Sequence, residues 1–191
     1  MPADDCVTVV SGLPRSGTSM MMQMLAAGGL PLLTDQQRAA DRDNPRGYCE
    51  FEAVKRTSSD PAWVALAVGK AVKMVHLLLS DLPADYHYRV LLMKRPIDQV
   101  LASQQAMLQH LGKPAAATSQ AGLARVFQTQ LDQVEAYMAL RSNFRVQQVD
   151  YLAVIRQPRA SAQQIDRFLG GGLNTDAMAA AVDPSLYRNR S

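Results

Sequence analysis

Short β-branched apolar runs, separated by stretches with helical spacing, organise this chain. Residues 6–12, CVTVVSG, are apolar up to a closing glycine and predict a buried strand. Residues 18–29, TSMMMQMLAAGG, carry Met20, Met21, Met24 and Leu25 on one helical face, with Gly28-Gly29 as a stop. Methionines at that spacing are read as flexible core filler behind the preceding loop. Three further strands are predicted over 70–75 (KAVKMV), 88–94 (YRVLLMK) and 144–150 (FRVQQVD). Helices are predicted over 96–112, opened by Pro96 at its first position and closed by Gly112, over 121–141, and over 158–172 with a glycine stop. A short alanine-rich helix follows. Residues 34–52 are polar around an Asn44-Pro45-Arg46-Gly47 turn and read as a surface excursion, while 113–120 reads as a small-residue loop.

Strands alternating with helices predict an α/β architecture in three layers, a central and mostly parallel sheet flanked by helices. No repeat or linker divides the chain, so residues 1–191 are expected to form a single domain. Ligands of such sheets bind at the carboxyl ends of the strands, which is where chemistry is sought. Composition narrows the possibilities. Apolar residues make up 48% and charged residues 19%, an ordinary globular balance. No apolar run reaches bilayer length, and the acidic opening MPADDC lacks a secretion pattern, so no membrane association is expected. The two cysteines are Cys6, placed in a strand, and Cys49, which fits a reducing cytoplasm better than a disulfide. A net charge of +3, spread over 20 scattered Lys and Arg, points to a local anionic ligand rather than to nucleic acid.

The stretch SGLPRSGTSM, 11–20, nearly spells a P-loop. Gly12 and Gly17 have the required spacing and Ser19 occupies the Ser/Thr position, but Thr18 stands where the lysine belongs. Strand, loop and helix are all present in order, so backbone N–H groups and the helix dipole are expected to hold a phosphate. A ligand without a γ-phosphate has little need of the missing lysine, and Arg15 offers a cation within the loop.

Pro14, Arg15, Ser16, Gly17, Thr18 and Ser19 match one by one the 5′-phosphosulfate loop of the sulfotransferases that use 3′-phosphoadenosine 5′-phosphosulfate (PAPS), and the chain resembles that family. The family holds the 3′-phosphate with an arginine at a strand end and a serine eight residues later. Here Arg95 and Ser103 keep that spacing, and a serine about two helical turns beyond Pro96 returns to the same face. Residues 144–170, with VDYL, a proline and IDRFLG, are similar to a later segment of the family. Many members also carry a basic pair before a glycine-rich loop; Gly170-Gly171-Gly172 lacks it, and Arg188 and Arg190 stand further on.

The resemblance implies a cytoplasmic sulfotransferase of P-loop fold, with PAPS as co-substrate, no metal, and a small-molecule acceptor. Its chemistry asks for cations and N–H donors on the leaving side and a base at the acceptor. Arg15, Thr18 and the loop amides suit the first role. Two groups compete for the second, with His76 narrowly favoured. His76 is expected to close the second strand at the family's distance from a Leu-Pro segment, although Lys73 lies one residue further off than in the family. Glu50 is the alternative, as other branches use a carboxylate, while Glu52 reads as a solvated helix start. Tyr48 and Trp63 are candidate stacking groups, with core packing as the default. Acceptor contacts are expected from 34–66 and 108–122. The rival readings are a nucleoside or small-molecule kinase, against which Thr18 speaks, and a non-catalytic nucleotide-binding protein of the same fold.

Overall fold

The computed structural model describes residues 6–35, 47–112 and 119–183. Four strands form one sheet: β1 (Cys6–Gly12), β2 (Ala71–Lys73), β3 (His87–Lys94) and β4 (Phe144–Asp150). Their spatial order is β2-β1-β3-β4 and every pairing is parallel. The runs read from the sequence are therefore the sheet, and parallel pairing with both faces covered explains the continuous apolar character of the central strands β1 and β3, while the outer strand β4 is mostly exposed.

Side-chain alternation sends the same strands into two cores. Val7, Val9, Val72, Val90 and Leu92 pack on one face with Trp63, Leu79, Val134 and Met138. Val10, Ala71, Leu91 and Met93 pack on the other with Met21, Met22, Met24, Leu25 and Ile165. The first face is covered by α3 (Gln120–Ala139) and three 3₁₀ turns, Glu52–Arg56, Ala62–Ala67 and His76–Asp81. The second is covered by α1 (Thr18–Ala27), α4 (Tyr151–Arg156), α5 (Pro158–Leu169) and α6 (Thr175–Ala180). Helix α2 (Ile97–His110) lies beside the loop, where its Val100 packs with Leu13 and with Leu131 of α3. This is the expected three-layer α/β architecture.

The structure departs from the predicted elements at four places. Met22, not Met20, is among the fully buried methionines of α1, because the helix is wedged between the sheet and α6 and buries more than one stripe. Pro96 is the N-cap of α2 rather than its first helical residue, with an extended ψ of 129°. The stretch after β4, for which no element is predicted, is the short helix α4 (Tyr151–Arg156), capped by the Asp150 carboxylate, which accepts from the N–H groups of Leu152 (2.7 Å) and Ala153 (3.3 Å). β2 stops at Lys73, three residues before His76. Most of the predicted Asn44-Pro45-Arg46-Gly47 turn, and Arg188 and Arg190, lie outside the described residues. Among the described residues no helix is long and apolar enough to cross a membrane.

Candidate functional site

Register lines up the carboxyl ends of the strands. Val10 pairs with Lys73, Gly12 with Met93, and Lys94 with Asp150, so the loop after β1, the end of β2 and the turn after β3 share one edge. A cavity of about 490 Å³ opens there, within the usual range for a small-molecule site. Of the loop and anion-site residues singled out in the sequence, Pro14, Arg15, Gly17, Thr18, Ser19, Arg95 and Ser103 line it, as does Glu50. Its charged walls are Arg15, Lys55, Lys73 and Arg95 against Glu50 and Asp183, so its field favours an anion.

The loop's shape depends on backbone conformations that the sequence only partly advertises. Gly17 is the N-cap of α1 in the left-handed region (φ 102°), and no side chain caps the helix there. A Cβ on Gly17 would stand 2.5 Å from Cδ2 of Tyr151, the first residue of α4. Arg15 is also left-handed (φ 73°), a conformation that costs a branched residue most and is typical of functional loops. Its Nε donates to Ser103 Oγ at 3.1 Å. Arg95 in turn donates from Nη1 to the Arg15 carbonyl at 3.0 Å and from Nε to Gln99 Oε1 at 3.3 Å, and its guanidinium lies 4.6 Å from the centre of the Tyr151 ring. The loop cation and the Arg95/Ser103 pair, two separate features in the sequence, are thus one network. Ser16, the one loop residue outside the cavity wall, keeps a buried Oγ with no hydrogen-bond partner among the described residues.

The lysine missing from the loop comes from elsewhere in the fold. Lys73, at the end of β2, places Nζ 3.4 Å from Ser19 Oγ, donates to the Tyr48 carbonyl, and pairs with Glu50 Oε1 at 3.3 Å. Ser19 Oγ also donates to the Tyr48 carbonyl at 3.4 Å. Cys49, between Tyr48 and Glu50, is left-handed (φ 50°), and this kink lets the carbonyl before it and the carboxylate after it both meet Lys73. Burial raises the Cys49 thiol pKa, with Lys73 pulling it down and Glu50 up. Lys73 and Tyr151 both line the cavity and are not among the candidate site residues read from the sequence. In the sequence Lys73 enters only through its spacing from His76, while Asp150, the side-chain N-cap of α4, is the local signal that Tyr151 opens a helix.

His76 is not part of this wall. It opens the 3₁₀ turn after β2, is 2% exposed, and its Nε2 lies 3.1 Å from Gln130 Oε1 of α3. Burial lowers its pKa, and Gln130 and the Gly12 backbone offset only part of that. Glu52 is exposed and bonded to Lys55, as a solvated helix start should be. Trp63 is buried in the core with Nε1 donating to Thr57 Oγ1 (3.2 Å), whereas Tyr48 reaches the cavity. Gly170 ends α5 in the left-handed region, and the glycines that follow do not line the cavity.

A four-stranded parallel sheet covered by helices, with a glycine-containing loop between β1 and α1, defines the fold class. No protein-family model and no curated protein sequence matches the chain. Solved structures do. Sulfotransferase STF1 from Mycobacterium tuberculosis superposes with a TM-score of 0.60 at 18% identity, over 93% of this chain and 70% of that one. A sulfotransferase domain from the curacin biosynthetic pathway gives 0.56 at 15% identity, over 95% and 88%. The sulfotransferase domain of a Synechococcus olefin synthase gives 0.57 at 16%, over 97% and 83%. The chain has a sulfotransferase-like fold.

Proposed function

We propose that the protein is a sulfotransferase that takes PAPS as donor and a small-molecule hydroxyl as acceptor. The observation that carries this reading is the meeting of the loop, the Arg15–Ser103–Arg95 network and Lys73 in one cavity. The residues fit a bisphosphate. The N-terminus of α1 is left without a side-chain cap at Gly17, so a 5′-phosphate is a suitable partner for its first-turn N–H groups. Arg95 and Ser103 offer a guanidinium fork and a hydroxyl to a second phosphate. Lys73 stands at Ser19, the position from which a P-loop hydroxyl would hold Mg²⁺; an ammonium there supplies the positive charge a metal would bring. This favours metal-independent transfer over the kinase reading.

When bound, PAPS supplies the sulfuryl group: a bond forms from the acceptor oxygen to sulfur as the bond from sulfur to the 5′-phosphate oxygen breaks, releasing 3′-phosphoadenosine 5′-phosphate (PAP). The chain's own part is electrostatic. Lys73 and the loop amides hold negative charge on the leaving side, and Arg95 with Ser103 fixes register. Glu50, which lines the cavity beside Lys73, is the base that takes the acceptor proton and returns it to solvent. His76, the other candidate, is buried against Gln130 and serves the fold in this reading.

The test is ligand-dependent stability. At 100 times its dissociation constant, PAP without metal should stabilise the fold by about 2.7 kcal/mol. If ATP with Mg²⁺ raises the melting temperature and PAP does not, a kinase is the better description.

A further inference from the structure

We infer that the acceptor is an apolar alcohol or phenol rather than a sugar; the inference rests on the sulfuryl-transfer reading of the same cavity. The cavity is chemically divided. Its inner end holds the loop, Arg95, Ser103 and Lys73. Much of the remaining wall is apolar: Phe51 and Val54 from the first 3₁₀ turn and the residue before it, Val75 and Leu78 around the turn that begins at His76, and Ala106 and Met107 from α2, with Gln23, Lys55, His110 and Asp183 as its other polar side chains.

Helix geometry gives this wall a direction. Ser103, Ala106, Met107 and His110 all line the cavity, at offsets of three, four and seven residues, so they form one stripe along α2. From Ser103 to His110 the stripe runs roughly 10 Å at 1.5 Å per residue. It leads from the anion network across Ala106 and Met107 to the outer end of α2. Val75 is 43% exposed, and Phe51, Leu78 and Met107 of the same wall are half-buried. Large apolar side chains kept partly open to water on a cavity wall find their use when an apolar body covers them.

The polar groups on this side are poorly placed for a sugar. Lys55 is drawn to the Glu52 carboxylate at 2.8 Å on the surface. Glu50 and Lys73 meet at the inner end, where the reacting hydroxyl belongs. Between them and His110 the wall offers aliphatic, thioether and aromatic surface. Ring hydroxyls of a sugar buried there would lose water without gaining partners, which is the costly case. An alkyl or aryl body with one hydroxyl leaves no such group stranded.

The experiment uses the full chain in two steps. PAP binding is measured first by calorimetry. Transfer is then followed from labelled PAPS to 4-methyl-, 4-ethyl-, 4-propyl- and 4-butylphenol, with methyl β-glucoside and N-acetylglucosamine alongside. We expect kcat/KM to rise roughly fourfold for each added methylene, with no product from the sugars. Met107→Asn and, separately, Val75→Asn should flatten that rise while leaving PAP affinity unchanged. Absence of PAP binding overturns the sulfotransferase reading itself. PAP binding with sugar transfer, with a flat phenol series, or with no product from any acceptor overturns the acceptor class alone.

Discussion

His76 and Glu50 show how position decides what a titratable side chain does. In sequence both are credible bases. In the fold one is sealed against Gln130 and the other lines the cavity beside Lys73. Glu50→Gln should therefore lower single-turnover transfer by a factor on the order of 10² to 10⁴, with PAP affinity within a few-fold of wild type. His76→Gln should leave transfer within a few-fold, and the comparison is made in one stopped-reaction assay with saturating PAPS. The histidine has a different signature. Its folded pKa lies below the ordinary 6.5, so the unfolded chain takes up a proton that the buried ring resists. Its contribution is thus unfavourable as pH falls from about 6.5 toward the lowered value, and stability rises with pH across that window. Urea melts between pH 5 and 8 should show this acidic loss in wild type and less of it in His76→Gln. Equal slopes would mean that His76 does not titrate differently in the two states.

The loop between β1 and α1 is held by packing as much as by its own sequence. Gly17 is left-handed and sits against the Tyr151 ring, so an alanine there meets both a backbone penalty and a collision. Gly17→Ala should destabilise the fold by about 1–3 kcal/mol and weaken PAP, measured by urea melts and calorimetry. Gly29→Ala is the control: its φ is 95°, but nothing lies within 4 Å of the added Cβ, so it should leave PAP affinity untouched. α2 has a comparable dependence. Its Ser103 contacts Arg15, and Arg95 just before its N-cap supports the Arg15 carbonyl. Arg95→Ala should weaken PAP by about 1.5–3 kcal/mol, a charged hydrogen-bond loss. Because Arg95 also braces the loop, adenosine 5′-phosphosulfate should be weakened too, by less. Equal losses for the two ligands would show that Arg95 only shapes the loop.

A ligand with two phosphates should join these elements into one responding unit. Hydrogen exchange in the presence of PAP is expected to slow together over 12–19 and over 95–103, since the loop and α2 are already linked through Arg15, Ser103 and Arg95. Adenosine 5′-phosphosulfate should slow the first stretch more than the second. Protection confined to the loop with both ligands would remove the second anion site. Sheet order matters to this behaviour. β1 and β3 are the central strands, so the loop and Arg95 hang from neighbouring, fully paired strands. Lys73 reaches the same edge from the three-residue outer strand β2.

The strands, their parallel arrangement and the loop were legible in the amino-acid order, because each rests on local pattern or fixed spacing, while Arg95 and Ser103 were picked out by the family resemblance and line the same cavity. Short continuous apolar runs, glycines at 12 and 17, and a serine two helical turns past a strand end are one-dimensional signals. The segments expected to contact an acceptor supply part of the cavity wall: Tyr48, Glu50, Phe51, Val54 and Lys55 fall within 34–66 and His110 within 108–122, whereas Met74, Val75, Leu78, Ala106 and Met107 lie outside them. Lys73 escaped for the same reason, since a side chain 54 residues from Ser19 in sequence becomes its neighbour only when β2 pairs with β1. His76 differs in the opposite sense: the strand expected over 70–75 spans only Ala71–Lys73, and His76 opens the following 3₁₀ turn, buried against Gln130. Local sequence sets which segments become strand or helix. Strand order, register and the two left-handed residues Arg15 and Cys49 set which side chains meet, because those depend on packing between segments that carry no mark of one another.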